Sequence, residues 1–349
     1  MKQSRYNILM TLAFALLAVV FSACSKVSPT GVLVGGSGVD DRVDMSYTYY
    51  KNYMEDSIDL HVPFASDGEY SFLVGSDSHV ATDTGRVAEM IDIGLEHGDL
   101  LWAMLGDIAD TSADYYKNLH TVLSRGKMKY IDKYFEYDND LQVLYDKRYP
   151  LIEERDSSTY WNMFSRLDDV QYPFFSVVGN HDVTRNGWAL FSSIFHSSFF
   201  DFCVAFGNEG QCDHFIFLDT ASGTLGENQI KLLKANVFAT NATKKVRHTF
   251  VFSHTNLFRP RTTQFSSTFP REELYFLLNK FSEWKTDIVF CGHVHAWDDR
   301  TFGNVRYITS EAMSERNNPN PGEYLTRVTC KPNGELNVER VMMHYTPNK

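Results

Sequence analysis

Short apolar segments alternate with amphipathic patterns through most of the chain beyond residue 69. Six apolar runs have the length of buried strands, and they occupy residues 70–74, 100–105, 174–178, 214–218, 249–252 and 287–291. In three of the intervals between them, apolar residues recur at helical spacing, and these sets are Val87, Met90, Ile91 and Leu95; Ile230, Leu233 and Val237; and Leu274, Leu277, Leu278 and Phe281. Strands that alternate with helices predict an α/β layered fold.

Two regions depart from this alternation. Three further strands are predicted near the C-terminus, at residues 305–309, 324–330 and 335–342, with Pro332-Asn333-Gly334 as the turn before the last one. Residues 111–171 form an insertion in which Tyr116, Leu119 and Leu123 indicate an amphipathic helix. Either a helical excursion on the surface or a cap that shapes the substrate site is compatible with this insertion.

The N-terminal segment has the pattern of an export signal. Lys2 and Arg5 precede an apolar run at residues 8–21, which is shorter than the roughly 20 residues that a membrane-spanning helix needs. We therefore predict a signal peptide at residues 1–23, a tether at 24–45 and one folded domain at 46–349. Ser22-Ala23-Cys24 resembles the lipobox of bacterial lipoproteins, in which the cysteine is lipidated. The alternative is an ordinary signal peptide cleaved near Ala23; both interpretations predict export.

The amino-acid composition narrows the classes of protein to which the chain can belong. The 349 residues are 43% hydrophobic, and 33 Lys and Arg against 44 Asp and Glu give a net charge of −11. Such an acidic chain with no basic stripe is not typical of a nucleic-acid binder. Five cysteines are too few for a disulfide scaffold, although a local bridge between Cys203 and Cys212 is compatible with export. Cys291 ends a predicted strand and is interpreted as a buried small hydrophobe.

Polar motifs follow five of the predicted strands, at the strand ends where α/β sheets bind their ligands. These motifs are Asp77-Ser78-His79, Gly106-Asp107-Ile108-Ala109-Asp110, Gly179-Asn180-His181-Asp182, His254 and Gly292-His293-Val294-His295. Carboxylate, imidazole and carboxamide groups are the ligands of hard-to-borderline metal ions, and one carboxylate can bridge two of them. A single such motif is weak, since a lone histidine is more often a core residue. Five of them in order at strand ends predict a metal centre.

The five motifs together resemble the calcineurin-like metallophosphoesterase superfamily, whose pattern is DxH, GDxxD, GNH(D/E), H and GHxH. The resemblance extends from residue 70 to residue 295. It implies a layered β-sandwich flanked by helices (α/β/β/α), with the active site at the C-terminal ends of the strands. It also implies two divalent or trivalent metal ions, for which Mn, Fe and Zn are all suitable. In this resemblance the first ion is held by Asp77, His79, Asp107 and His295. The second is held by Asp107, Asn180, His254 and His293. The catalytic residues would be His181, which faces the substrate phosphate and assists the leaving oxygen, and Asp110, which orients it.

The predicted function is a membrane-tethered phosphoesterase, exported to face the periplasm or the cell surface, that hydrolyses small phosphomonoesters or phosphodiesters. Two cations about 4 Å apart can clamp a phosphoryl group and lower the pKa of a bridging water, so that a metal-bridging hydroxide attacks phosphorus. The alternatives are a ligand-binding surface lipoprotein on the same fold and a nuclease. Arg185, Arg259 and Arg261 are candidates for phosphate binding, although loop arginines are usually only solvated. Leu218-Asp219-Thr220 with Gln229 is interpreted as structural packing, and no feature indicates a protein partner.

Overall fold

The computed structural model describes residues 38–53, 59–61, 68–110, 112–123, 135–138, 143–146, 173–195, 197–206, 211–237, 245–258, 269–314 and 322–345. The helices are α1 (Val39–Tyr53), α2 (Gly85–His97), α3 (Ala113–Leu123), α4 (Gly187–Phe195), α5 (Gly226–Lys234) and α6 (Arg271–Glu283). The first strands are β1 (Asp59–His61), β2 (Tyr70–Gly75), β3 (Leu101–Met104), β4 (Phe135–Asp138), β5 (Val143–Asp146), β6 (Phe174–Ser176) and β7 (Phe200–Phe206). They are followed by β8 (Gln211–Phe217), β9 (Lys245–Ser253), β10 (Ile288–Cys291), β11 (Asp298–Phe302), β12 (Val305–Thr309), β13 (Tyr324–Cys330) and β14 (Leu336–Met342). None of the helices in these ranges has the length and apolarity that crossing a bilayer requires.

Two mixed sheets form the centre of the molecule. One has seven strands in the order β1-β7-β8-β9-β10-β12-β11, and the other has five in the order β14-β13-β2-β3-β6. Strands β2, β3 and β6 run parallel in the five-stranded sheet, as do β8, β9, β10 and β12 in the seven-stranded one. Within each sheet the C-terminal ends of these strands therefore lie along one edge, where the polar motifs follow them.

Aromatic side chains fill the space between the two sheets. Phe72 of β2 lies with its ring centroid 5.1 Å from that of Phe215 and 5.0 Å from that of Phe250, in edge-to-face contacts. Phe202 stacks on Phe215 with the centroids 5.1 Å apart. All four rings are buried, and full burial of one such side chain stabilises the fold by about 1.5–3 kcal/mol. Alternate residues of both sheets thus form one apolar layer between the sheets.

Helices cover both outer faces of the sandwich. Met90 and Ile91 of α2 pack with Trp102 of β3 in the cluster that covers the five-stranded sheet. The Trp102 Nε1–H also donates to the Met90 carbonyl at 3.0 Å. On the other face, Leu277 of α6 packs with Val289 of β10. The predicted α/β/β/α architecture is therefore confirmed.

Most of the predicted elements are present with small shifts at their ends. The predicted strands at 305–309 and 324–330 coincide with β12 and β13, whereas β8 begins earlier than the predicted 214. The helix predicted from Ile230, Leu233 and Val237 does not reach Val237, because α5 ends at Lys234 and Asn236 has a φ of 49° that a right-handed helix cannot adopt. Strands β7 and β11 and helix α4 were not among the predicted elements.

The predicted tether at residues 24–45 overlaps folded structure, which corrects the predicted start of the domain. Helix α1 begins at Val39, and the side chains of Arg42 and Val43 are fully buried. Arg42 makes two hydrogen bonds to the Asp219 carboxylate, of 2.8 and 2.9 Å. This helix has no regular apolar stripe, because one of its inward positions is a charged residue paired within the core.

The insertion at 111–171 contributes a helix to the core. Tyr116, Leu119 and Leu123 of α3 are buried in the same cluster as α2 and α4, so this helix is not a surface excursion. Strands β4 and β5 pair antiparallel, and residues 124–134, 139–142 and 147–172 lie outside the described part of the chain. The possible role of the insertion as a cap stays a prediction.

The cysteines on β7 and β8 face one another. The Sγ atoms of Cys203 and Cys212 lie 3.0 Å apart without a covalent bond. Both side chains are buried. The structure therefore shows a close thiol pair, and the bridge between them stays a hypothesis.

Candidate metal centre

The predicted ligands lie at one edge of the sandwich because the loops that carry them are hydrogen-bonded side by side. The Asp77 N–H donates to the Gly106 carbonyl at 3.1 Å, and the His79 N–H donates to the Asp107 carbonyl at 2.9 Å. In the other sheet, the Gly292 N–H donates to the His254 carbonyl at 3.0 Å. Each loop follows a strand whose neighbour ends at the same level, so the registers of both sheets bring the motifs together.

Two contacts join the sheets at this edge. The His254 Nδ1 lies 2.7 Å from the Leu105 carbonyl, and the His293 backbone N–H donates to Asp77 Oδ2 at 3.0 Å. Because a carbonyl only accepts, the Nδ1 of His254 carries the proton in this contact. The Nε2 of His254 is then left with its lone pair directed into the site.

The first group of ligands comprises Asp77, His79 and His295, whose ligand atoms lie within 4.8 Å of one another. The Asp77 Oδ1 is 3.2 Å from the His295 Nε2. The His79 Nε2 is buried and has no hydrogen-bond partner among the described residues. A buried imidazole nitrogen without a partner is costly, and a metal ion would satisfy it.

The second group of ligands surrounds the His254 Nε2. This atom lies 2.9 Å from the Asn180 Oδ1, 3.1 Å from the His293 Nδ1 and 3.4 Å from the Asp107 Oδ2. Ligand atoms that are each about 2.1 Å from one cation are about 3–3.5 Å from each other. The other three ligand atoms thus lie at the distances from the His254 Nε2 that a shared coordination shell requires.

Asp107 links the two groups. Its Oδ2 is 3.4 Å from the His254 Nε2 in one group and 3.9 Å from the His79 Nε2 in the other. Its Oδ1 accepts the backbone N–H of His181 at 2.7 Å, which fixes the orientation of the carboxylate. The structure brings together all seven residues predicted to bind metal, and they fit two adjoining ions that share Asp107.

The backbone at the ligands is unusual. Eight described non-glycine residues have a positive φ, and five of them are predicted ligands: Asp77, His79, Asp107, His293 and His295. The left-handed region costs an ordinary residue roughly 1–2 kcal/mol. Strain of this kind is concentrated at functional sites, where the surrounding structure holds it.

Glycine is required where the loops approach most closely. A Cβ on Gly179 would overlap both the backbone nitrogen and the Oδ1 of Asp107. Gly106 has a φ of 83°, and a Cβ there would lie 2.7 Å from the Gly179 nitrogen. The glycines of the GDxxD and GNHD motifs therefore allow two metal-ligand loops to pack in direct contact.

The charges in the site are strongly coupled. Burial by itself would raise the pKa of the Asp107 carboxyl, but the nearby His254 holds that pKa well below its usual range. Burial would lower the pKa of His254, yet the negative charge of Asp107 and a hydrogen bond to it raise that pKa to about 9. In the absence of metal, a second proton on the Nε2 of His254 would balance these carboxylates. A cation bound by its Nε2 would take over that role and release the proton.

His181 lies beside the ligands with its side chain 45% exposed, in a position open to a substrate. Its ring centroid is 4.8 Å from that of His79. Asp110, the residue predicted to orient it, has its Oδ1 4.0 Å from the His181 Nδ1 and 3.5 Å from the His79 Nδ1. Burial lowers the pKa of His181, and the charge of Asp107 only partly opposes this effect. The two predicted catalytic residues are thus adjacent at the site, without a direct hydrogen bond between these atoms.

Asp182 has a role that the motif alone does not indicate. Its carboxylate accepts the N–H of Ile108 at 3.1 Å, the N–H of Gly179 at 2.8 Å and the Tyr116 hydroxyl at 2.8 Å. It thereby connects the two loops that carry Asp107 and Asn180 to helix α3. Burial, followed by the charge of Asp107, raises its pKa to about 7. The signal available in the sequence was the position of Asp182 directly after the Asn-His pair.

The other side chains near the motifs are either core residues or lie outside the described part of the chain. Trp188 and Phe191 of α4, aromatic residues close in sequence to the GNHD motif, belong to a core cluster and are therefore packing residues. Burial raises the pKa of the Cys291 thiol to about 12, which fits a buried hydrophobe. The predicted phosphate-binding positions Arg259 and Arg261, and the side chain of Arg185, lie outside the described part of the chain.

The chain matches a known protein family. A family model described as calcineurin-like phosphoesterase matches residues 70–297. No curated protein matches the chain.

Solved structures with a similar fold share little sequence. The chain is similar to GAP50, described as the anchor in the inner membrane complex of Plasmodium, with 14% identity, a TM-score of 0.41 and coverage of 79% of this chain and 90% of that one. It is also similar to a dimetal phosphatase from Danio rerio, with 11% identity, a TM-score of 0.45 and coverage of 79% and 99%. An archaeal phosphodiesterase gives 10% identity, a TM-score of 0.36 and coverage of 78% and 99%. The family assignment rests on the family model alone.

Proposed function

Because the chain belongs to the calcineurin-like phosphoesterase family, we propose that it is a dinuclear metal-dependent hydrolase of small phosphomonoesters or phosphodiesters. The observation that carries this proposal is the sharing of the Asp107 Oδ2 between two groups of converging ligand atoms. A single-metal protein has no need of a second group of ligands around the same carboxylate. The donor set of imidazole, carboxylate and carboxamide suits Mn, Fe or Zn.

The chemistry divides between the metals and the chain. Two metal ions bound here would polarise the phosphoryl group and lower the pKa of a bound water. Asp107, oriented by the His181 backbone N–H, would set the spacing of the ions. The ring of His181 would hold a proton at the leaving oxygen. Its pKa is lowered in this structure, and the negative charge of a bound phosphate would raise it, so substrate itself would favour the protonated ring.

A panel of phosphate esters tests this proposal. Purified mature protein loaded with Mn, Fe or Zn should hydrolyse at least one monoester or diester, and an Asp107→Ala variant prepared in the same way should not. Comparing monoesters with diesters assigns the substrate class. Metal loading without turnover of any ester would instead favour the ligand-binding alternative. Cleavage of single- or double-stranded nucleic acid would favour the nuclease, which the net charge of −11 opposes.

We further propose that the protein is exported and anchored through a lipid on Cys24. The support is the basic and then apolar pattern of residues 1–23 and the small residues directly before Cys24. The first described helix, α1, begins at Val39, only 15 positions after Cys24, so a lipid on Cys24 would hold the enzyme close to the membrane surface. The substrate would then be a small phosphorylated molecule outside the cytoplasm.

A further inference from the structure

The side chain of Thr220 connects the loop between β8 and α5 to the loop that carries His254. Its Oγ1 accepts the backbone N–H of His254 at 2.9 Å and that of Thr255 at 3.1 Å. The Thr255 hydroxyl donates back to the Thr220 carbonyl at 2.6 Å. All three residues are fully buried, so water is not at hand to replace these bonds.

The proton of the Thr220 hydroxyl also has a defined direction. The Thr220 Oγ1 lies 3.1 Å from the Ser253 Oγ, and the Ser253 hydroxyl donates to the Thr255 carbonyl at 3.0 Å. Because Ser253 uses its only proton in that bond, Thr220 donates to Ser253 and keeps its lone pairs for the two N–H groups. One hydroxyl thus fixes three successive residues where β9 ends.

The position of Thr220 is in turn fixed by a buried ionic and amide network. Arg42 of α1 donates two hydrogen bonds to the carboxylate of Asp219, the residue before Thr220. It donates a third hydrogen bond to the Ser222 hydroxyl at 3.2 Å. Gln229 of α5 accepts the Asp219 N–H at 3.0 Å and donates to the Asp219 carbonyl at 2.8 Å. Hydrogen bonds therefore fix both the side chain and the backbone of Asp219, which is covalently joined to Thr220.

We propose that Thr220 is a positioning residue for the metal ligand His254, and that the Arg42–Asp219 pair holds it in place. The Nδ1 of His254 binds the Leu105 carbonyl, which sets the rotation of the ring, but the position of the ring depends on where the backbone places its Cα atom. Two N–H bonds to one oxygen define that position. The inference rests on the proposed metal function, since it concerns the group of ligands around the His254 Nε2. It revises the interpretation of the Leu218-Asp219-Thr220 segment as packing alone.

Thr220→Val and Thr220→Ser separate positioning from packing. Valine keeps the shape of threonine but leaves two buried N–H groups without an acceptor, so the loop that carries His254 must shift. Serine keeps the acceptor. Loss of an outer partner of a metal ligand typically weakens metal binding by about 10–100-fold. We therefore expect Thr220→Val to bind one of the two metal ions about 10–100-fold more weakly, and Thr220→Ser to stay within about threefold of the wild type.

The measurement is a titration of metal-free protein with Co²⁺, followed by its visible absorption and by calorimetry. Thr249→Val is the matched control, because Thr249 is a buried threonine of β9, the strand that leads to His254, and its hydroxyl donates to the Trp284 carbonyl at 3.3 Å. This variant should bind both ions as the wild type does, even if its Tm falls as much as that of Thr220→Val. Such a result would support the proposal.

Two outcomes would overturn it, and they are distinguishable. If the wild type binds two Co²⁺ ions and Thr220→Val binds them with unchanged affinity, the positioning role is wrong while the metal centre stands. If Thr220→Ser is as defective as Thr220→Val, the methyl group and not the hydroxyl oxygen is responsible, which also excludes the role. A wild type that binds no Co²⁺ would instead overturn the proposed function itself.

Discussion

At the scale of single residues, Asp107 is the side chain on which both groups of ligands depend. It lies between His79 and His254, and its other oxygen is held by a backbone N–H. A ligand such as Asn180 serves only one group. Removing a bridging carboxylate therefore removes a ligand from two ions and also leaves their mutual repulsion unscreened.

We predict that Asp107→Ala loses more metal than any change of a terminal ligand. Elemental analysis after gel filtration should give about two ions for the wild type, at least one for Asn180→Ala or His79→Ala, and fewer than one for Asp107→Ala. The terminal-ligand variants serve as controls for unspecific loss during purification. Full metal content in Asp107→Ala would refute the bridging assignment.

His181 allows chemistry and metal binding to be separated. Its backbone N–H, and not its ring, holds Asp107, so a change of side chain leaves that bond intact. His181→Asn should keep both metals while kcat falls by about 10²–10⁴-fold, as expected for loss of a general acid.

The leaving group gives the sharper test of that role. The loss in His181→Asn should be larger for alkyl phosphates than for nitrophenyl phosphate, because nitrophenolate departs without a proton. Asp110→Asn should show a milder form of the same bias, since its carboxylate lies 4.0 Å from the His181 ring. Equal losses for good and poor leaving groups would show that His181 does not act as an acid.

The ligands could be predicted from the sequence, but the residues that hold them could not. Each ligand occurs in a short motif at a strand end, where spacing and residue type carry the signal. Asp182 and Thr220 act through bonds to backbone groups that are distant in sequence, such as Ile108 and His254. Such bonds depend on the packing of whole loops, so the sequence marks the positions of these two residues but not the backbone groups that they bind.

At the scale of elements, α1 shows why a buried charge hides a helix from pattern analysis. Its Arg42 lies inward, fully buried, where an apolar residue would be expected. The polar partner that makes this possible, Asp219, lies 177 positions away. Pairing over that distance cannot be read from periodicity, whereas α2 and α6, whose buried residues are mostly apolar, were predicted correctly.

We predict that Arg42→Met destabilises the metal-free protein by about 3–5 kcal/mol, because it leaves the Asp219 carboxylate buried and unpaired. The double variant Arg42→Met with Asp219→Leu should recover most of this loss, since an apolar pair of similar size costs little at a buried site. Urea unfolding measures both. Arg300→Ala is the control, because Arg300 pairs with Asp298 at the surface with its side chain 50% exposed, and its loss should cost less than about 1 kcal/mol. A cost of that small size for Arg42→Met would contradict a structural role for the pair.

At the scale of the whole molecule, the two sheets place ligands from five loops around one point, and α1 joins this body to the N-terminal segment. Strands that pair in parallel end together, so the alternating pattern of the sequence was sufficient to place the site at one edge. No helix in the described ranges is suited to cross a bilayer. The attachment that we propose, a lipid on Cys24, is supported by the N-terminal sequence pattern.

We predict that Cys24→Ser moves the protein from the membrane fraction to the soluble exported fraction, or blocks its processing. Serine cannot form the thioether through which a cysteine is lipidated, so the variant would lack the acyl chains of the proposed anchor. Fractionation with immunoblotting, together with the mass of the mature N-terminus, measures both outcomes. Cys203→Ser is the matched control, because Cys203 is buried in β7, and this variant should stay with the membrane. If Cys24→Ser is cleaved normally and still sediments with membranes, the attachment lies elsewhere in the protein and the proposed anchor is wrong.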